Sequence, residues 1–324
     1  MAPNSNSPVA LVIGASRGIG RQVAIDLAKN GYAVIVSAKS TSSPSSNTPF
    51  PPDPNSSSST ITTVAREISL LGHESLAIAC DNRFPDQIQS LITQAFAWKH
   101  RLDVIIYNSG AIWWSSIEKT DLKRFQLMQK INPEGLYAVV QEVLKVWNNN
   151  GEQQNDANRR IVVVSPPIYS RFVKGKTAYA MGKFAMSTLT LGLAIDFRRQ
   201  NKPHTAITSI WPAAAIDSAA TQSNRTREAR SALRKPTIFS DAILAIIRSP
   251  AQDVNGKLVL DEDFLREHEG VTDFGKYALV EGAEPRRIMP KKMPDLRVEE
   301  EDDEGVRVDS TEMRRDRDRG GAKL

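Results

Sequence analysis

Seven short runs rich in β-branched residues recur along the chain, at residues 9–13, 33–38, 75–80, 103–107, 161–165, 205–210 and 257–260. Segments of helical period separate them: residues 19–29 stop at Gly31, and Ile61, Val64, Ala65, Ile68 and Leu71 share one face before Gly72. Strict alternation of this kind leaves few topologies, because parallel strands joined by helices must cross over right-handed. The expected fold class is therefore α/β, a Rossmann-type doubly wound parallel sheet of seven strands. At 324 residues with 40% hydrophobic content, the chain can bury one large core. The expected division is a short disordered N-terminus (residues 1–7), one domain over 8–290 and a charged tail over 291–324.

Three stretches interrupt the alternation. Residues 40–60 (STSSPSSNTPFPPDPNSSSST) are so rich in Ser and Pro that a disordered insertion is expected there. Residues 148–158 read as a polar loop. Beyond residue 291 the chain is almost wholly charged, with EEEDDE followed by RRDRDR, and is expected to be solvated. The single cysteine, Cys80, excludes an internal disulfide framework and ends an apolar run, which suits core packing. No stretch reaches the roughly 20 apolar residues that cross a bilayer, and the first residues carry neither a secretory nor a transit pattern. A net charge of +5 without a basic stripe interleaved with aromatics argues against nucleic acid.

The turn between the first run and the first helix reads IGASRGIG, residues 13–20. Gly14, Gly18 and Gly20 allow a tight turn there and let a pyrophosphate approach backbone N–H groups at the helix start, beside Ser16, Arg17 and Ile19. The second strand ends in Ala38-Lys39-Ser40, with no acidic residue to hold a ribose 2′-hydroxyl. Lys39 and Arg17 instead supply two cations for a 2′-phosphate, so the expected cofactor is NADP(H). Asp81, after the third run, is placed for the adenine edge, and Asn108-Ser109-Gly110, after the fourth, for the adenosine.

Downstream, Tyr179 and Lys183 stand one helical turn apart in YAMGK and project from one face. A nearby ammonium and the nicotinamide charge favour the ionised phenol, which makes Tyr179 the candidate acid and base. Lys183 would also bond the nicotinamide ribose. Ser165, ending the fifth run, could orient a carbonyl. Asn132 precedes Pro133, which predicts a helix kink or a helix end there; a kinked Asn132 could hold a water against the lysine. No metal site is assigned.

These motifs identify the chain as resembling the short-chain dehydrogenase/reductase superfamily over residues 8–260. The resemblance implies a catalytic tetrad at Asn132, Ser165, Tyr179 and Lys183, and cofactor contacts at Pro212, Ile216 and Ser218. Two positions depart from the family pattern. Its usual serine, thirteen residues before the tyrosine, is Pro166 here, and its usual Pro-Gly after the sixth strand is Pro212-Ala213. The resemblance further implies a homodimer or homotetramer.

Trp113, Trp114, Tyr169 and Phe172 follow the fourth and fifth strands, where aromatic residues favour a bulky apolar substrate, fatty-acyl or steroid-like. The terminal Ala322-Lys323-Leu324 resembles the Ser-Lys-Leu address and predicts a peroxisomal import receptor as partner, with the cytoplasm as the alternative location. The expectation is an NADP-dependent oxidoreductase acting on a lipophilic carbonyl or secondary alcohol. Its rival is a catalytically weak NADP(H)-binding protein that acts through partners docked on the charged tail.

Overall fold

The computed structural model describes residues 7–149, 158–221, 226–298, 310–311 and 314–315. The terminal tripeptide, most of the 148–158 loop, nearly all of the N-terminal stretch and most of the charged tail lie outside the described residues. The chain divides into two units, Met1–Lys291 and Lys292–Leu324. In the second, the described residues Asp295 and Arg297 form an exposed ion pair, of a kind that contributes little.

The first unit runs β1 (Val9–Ile13), α1 (Gly18–Lys29), β2 (Ala33–Ala38), α2 (Ile61–Leu70), β3 (Ser75–Ala79), α3 (Pro85–Lys99) and β4 (Val104–Tyr107). It continues through α4 (Leu122–Gln129), a π-helical turn (Lys130–Glu134), α5 (Gly135–Asn149), β5 (Arg159–Val164), α6 (Thr177–Arg199) and β6 (Thr205–Trp211). The last elements are α7 (Arg227–Ser231), α8 (Thr237–Arg248), α9 (Ala251–Val254), β7 (Leu258–Leu260) and α10 (Asp261–His268). All seven strands pair parallel in the order β3-β2-β1-β4-β5-β6-β7. The expected doubly wound sheet is present, with strand limits within two residues of expectation.

Side-chain alternation explains why this sheet needs cover on both faces. Ala10, Val12, Val34, Val36, Val104 and Ile106 enter one core beneath α1, α2 and α8. Val9, Leu11, Ile35, Ile105, Ile161 and Val163 enter the other, beneath α3, α5 and α6. On α5, Leu136, Val139, Val140, Val143 and Trp147 repeat at helical spacing and are all buried. The strand order reverses between β1 and β4, so their C-terminal ends diverge and leave a crevice.

Residues 40–60 differ from expectation. They follow a defined path against the β1–α1 turn: Gly18 N–H donates to Pro54 O (2.8 Å), and Ser59 Oγ donates to Ser16 O (2.8 Å). Asn55 and Ser59 are buried, and Arg66 of α2 lies over the Phe50 ring at 4.4 Å. The segment has little apolar surface to bury, but it satisfies backbone groups that the glycine-rich turn leaves open.

Candidate active site

A crevice of about 450 Å³ opens at the divergence of β1 and β4. Gly14, Ser16, Arg17, Gly18 and Ile19 form its floor, and Tyr179 and Lys183 enter from α6. Lys39, Asp81, Asn108 and Gly110 come from the strand ends, with Pro212 and Ser218 from the segment after β6. Thirteen of the sequence-assigned residues therefore share one cavity wall. Gly20, Asn132, Ser165 and Ile216 stand outside it.

Gly20 acts one layer below the wall, against Asn108. A Cβ on Gly20 would collide with the carbonyl of Gly14 and come within 2.6 Å of Asn108 Nδ2. That amide donates to Gly14 O (3.0 Å). Asn108 thus ties β4 to the glycine turn while it also lines the crevice. Ile19 carries one of the amides at the start of α1 that have no acceptor within the helix, and it faces the crevice. A turn this closely packed, opening onto a helix N-terminus, fits a dinucleotide diphosphate.

Beyond β3, Asp81 is held by a two-pronged bond from Arg83, with Nε at 2.9 Å and Nη2 at 2.6 Å. The Arg83 guanidinium keeps the Asp81 carboxyl below its ordinary range, while partial burial opposes it. Lys39 is exposed at the end of β2 and Arg17 is half-buried. Both line the crevice.

Tyr179 is 2% exposed, and its ring meets the edge of Trp114 with centroids 6.3 Å apart. Burial pushes its phenol above the ordinary tyrosine range, the opposite of the lowering expected from a neighbouring ammonium. Desolvation is the cause, and it acts on Lys183 as well. Burial depresses that amine to about 7, and its Nζ donates to Val164 O (2.7 Å). Desolvation thus favours the neutral form of both groups.

Pro133 disrupts the helix as expected, and the outcome is the π-helical turn Lys130–Glu134. Tyr107 Oη donates to Ile131 O (2.5 Å), which gives that carbonyl a partner. Asn132, fully buried, accepts from Ala111 N–H (2.8 Å) and donates to Ala111 O (3.1 Å). Both ends of its amide are thereby engaged on backbone. The side chain of Asn132 thus braces the chain at Ala111, next to Gly110. A Cβ at Gly110 would lie 3.4 Å from both Asn132 Oδ1 and Lys183 Nζ, so glycine lets the amide and the amine come together.

Ser165 does not reach the crevice. It is fully buried, and its Oγ lies 2.7 Å from Ser209 Oγ on β6, which itself donates to Ser165 O (2.6 Å). The carbonyl-orienting role expected of Ser165 has no support in this geometry. Ile216 is likewise buried and forms an isolated bridge with Arg234. Of the four aromatics, Trp113 and Trp114 are exposed, whereas Phe172 belongs to a small core with Met128 and Tyr179. Tyr169 packs on Phe172 and reaches Met289 Sδ.

Sequence reasoning missed the support of the segment after β6. Asp261, at the start of α10, accepts from Ala213 N–H (2.8 Å) and Glu262 N–H (2.7 Å). Its Oδ2 is buried without a partner, and burial raises the carboxyl to about 7 against the lowering effect of those two bonds. Arg234 pairs with Glu262 and donates to Phe274 O (3.0 Å). Ile288 N–H bonds Ala213 O (2.8 Å). Residues 258–289 thus anchor the Pro212-Ala213 turn from behind.

The model of the short chain dehydrogenase family matches residues 8–48 and 55–229. The chain belongs to that family. Hydroxysteroid dehydrogenase-like protein 2 of Danio rerio is 32% identical over 277 residues, covering 84% of this chain and 60% of that protein. This chain therefore spans about 60% of the length of that curated relative. Among solved structures, a short chain dehydrogenase from Mycobacterium thermoresistibile is 30% identical with a TM-score of 0.72, over 86% of this chain and 93% of that one. A putative dehydrogenase from Xanthomonas campestris is also 30% identical with a TM-score of 0.72, over 90% of this chain and 98% of that one. The gap between the two matched segments, residues 49–54, falls within the Ser- and Pro-rich stretch that packs on the glycine turn.

Proposed function

We propose that this protein transfers hydride between NADP(H) and a carbonyl or secondary alcohol of a lipophilic substrate, with Tyr179 as acid and base. The observation that carries this reading is the opening of Tyr179 and Lys183 onto the same crevice as the glycine turn. The dinucleotide supplies or accepts the hydride. Tyr179 gives its phenolic proton to the carbonyl oxygen during reduction and takes the alcohol proton during oxidation. A protonated phenol is the form needed for reduction, and burial favours it. Lys183, fixed on Val164 O and beside Gly110, is positioned to meet a ribose hydroxyl. Lys39 and Arg17 favour the 2′-phosphorylated cofactor through charge-assisted bonds.

Exposed Trp114, next to Tyr179, supports an apolar substrate body. Exposed Tyr137 on α5 and Met181 and Ile195 on α6 support pairing of two copies through these helices. A second reading, a cofactor-binding protein with weak turnover, draws on one observation: the Ser165 hydroxyl is engaged by Ser209 and leaves the substrate carbonyl without that donor. Tyr179→Phe decides between them in an NADPH oxidation screen over ketones, aldehydes and 3-oxoacyl thioesters. The first reading expects turnover to fall by about 10²- to 10⁴-fold with NADPH binding retained. An unchanged rate, or no wild-type turnover of any carbonyl, supports the second.

A further inference from the structure

A second cavity, of about 570 Å³, opens between the residues that lead into α3 and the helix α4. It shares no lining residue with the cofactor crevice. Arg83, Lys123, Arg124 and Lys130 all line it, against one carboxylate, Asp121. Its size is that of a small-molecule site. Four cations bordering one space repel one another, and an anion placed among them relieves that repulsion.

The protein itself leaves most of that charge unmatched. Elsewhere in the fold Arg21, Arg101, Arg234 and Arg287 each hold a carboxylate. Lys123, Arg124 and Lys130 form no ion pair and donate no side-chain hydrogen bond among the described residues. Arg83 commits Nε and Nη2 to Asp81, which leaves its Nη1 without an acceptor there. Asp121 is already engaged as the cap of α4, where its carboxylate accepts Arg124 N–H (2.7 Å). From outside the cavity, the Trp113 ring lies 4.5 Å from Arg124 Cζ and steadies the guanidinium without taking up its N–H donors. Phe84, 46% exposed, and Leu127 add apolar surface to the same wall.

We infer that this cavity is a second ligand site, which takes a phosphate or diphosphate group through Lys123, Arg124, Lys130 and the free edge of Arg83. The count of donors selects the ligand. One carboxylate neutralises a single cation, whereas a phosphate group carries up to two negative charges on three acceptor oxygens and satisfies several charge-assisted donors at once. Phe84 and Leu127 take whatever apolar part the phosphate bears. The group is shared by free phosphate compounds and by lipid head groups. This site goes beyond the proposed hydride transfer and does not depend on it.

The test is calorimetric titration of the full chain with inorganic pyrophosphate, in the presence of one equivalent of NADPH to fill the crevice, beside sedimentation with phosphatidylcholine vesicles made with and without phosphatidic acid. Lys123, Arg124 and Lys130 are exposed, so their substitution leaves the core intact, and circular dichroism checks this. Arg83 is left unchanged because it also holds Asp81 in the crevice wall. Lys123→Gln combined with Lys130→Gln should weaken binding by about tenfold or more. Arg124→Gln should weaken it independently, and Lys145→Gln on α5, outside the cavity, should leave it unchanged. Pyrophosphate binding without vesicle binding identifies a free phosphate compound, and sedimentation that requires phosphatidic acid identifies a lipid head group. Absence of both, or binding indifferent to Lys123, Arg124 and Lys130, would overturn the inference. Citrate bound as tightly as pyrophosphate would overturn the assignment to phosphate.

Discussion

Asn55 Nδ2 donates to Asp217 Oδ2 at 3.1 Å, across 162 residues of chain. The bond joins the Ser- and Pro-rich stretch after β2 to the segment after β6, and Asn55 Oδ1 lies 3.3 Å from where a Cβ on Gly18 would stand. The two segments meet over the outer side of the glycine turn. Asn55→Ala removes a bond to a charged group, an interaction of about 1.5–3 kcal/mol. Proteolysis within residues 40–60 should become faster, and NADPH release, followed by stopped-flow fluorescence, should quicken. Wild-type behaviour in both would show that the contact holds nothing in place.

Ser165→Ala tests the displaced serine. Ser209 keeps its bond to the Ser165 carbonyl in this variant, so the loss is one buried hydroxyl pair, worth about 0.5–1.5 kcal/mol of stability. Turnover with any accepted carbonyl should stay at the wild-type level. A drop comparable to that of Tyr179→Phe would mean that the hydroxyl turns into the crevice during reaction.

Asp261 gives the protein a distinct dependence on pH. Burial raises its carboxyl to about 7, so between the ordinary carboxyl range and about 7 the folded chain keeps a proton that the unfolded chain has released. Stability from this group therefore falls as pH rises through that window. Asp261→Asn keeps an acceptor for Ala213 and Glu262 and cannot ionise. Its melting temperature relative to wild type should improve from about pH 5 to about pH 7.5, whereas Asp261→Ala should be less stable than wild type at the acid end, where the wild-type group is neutral. A constant difference between the Asn variant and wild type would exclude titration of Asp261 in this range.

Cofactor choice follows from the exposed amine at the end of β2. Lys39→Asp places a carboxylate where a 2′-phosphate would lie, and affinity for NADPH should fall about tenfold or more while NADH binding improves. Direct titration of both dinucleotides measures it. Equal affinity of the wild type for the two would remove the argument from Lys39 and Arg17.

The fold was legible in the sequence because its signals are local. β-Branched runs of period two and helices of period 3.6 declare their own buried faces, as Val9, Leu11 and Ile13 against Ala10 and Val12 illustrate. The glycine turn and the spacing of Tyr179 and Lys183 are equally local, and the parallel topology then carried both to one crevice. Tertiary structure alone decided the matters that depend on distant partners. The path of residues 40–60 was hidden because composition measures apolar burial, while that stretch is held by polar groups that meet the glycine turn and Asp217. Ser165 was misplaced because the side on which a strand-end hydroxyl lies is set by its neighbour on β6, Ser209, 44 residues away. Asp261 was invisible because a carboxylate in a charged run looks solvated until two backbone amides are found on it and its other oxygen is found buried. Periodicity records which face of an element is apolar. It holds no record of which polar groups, far apart in sequence, satisfy one another once those faces are covered.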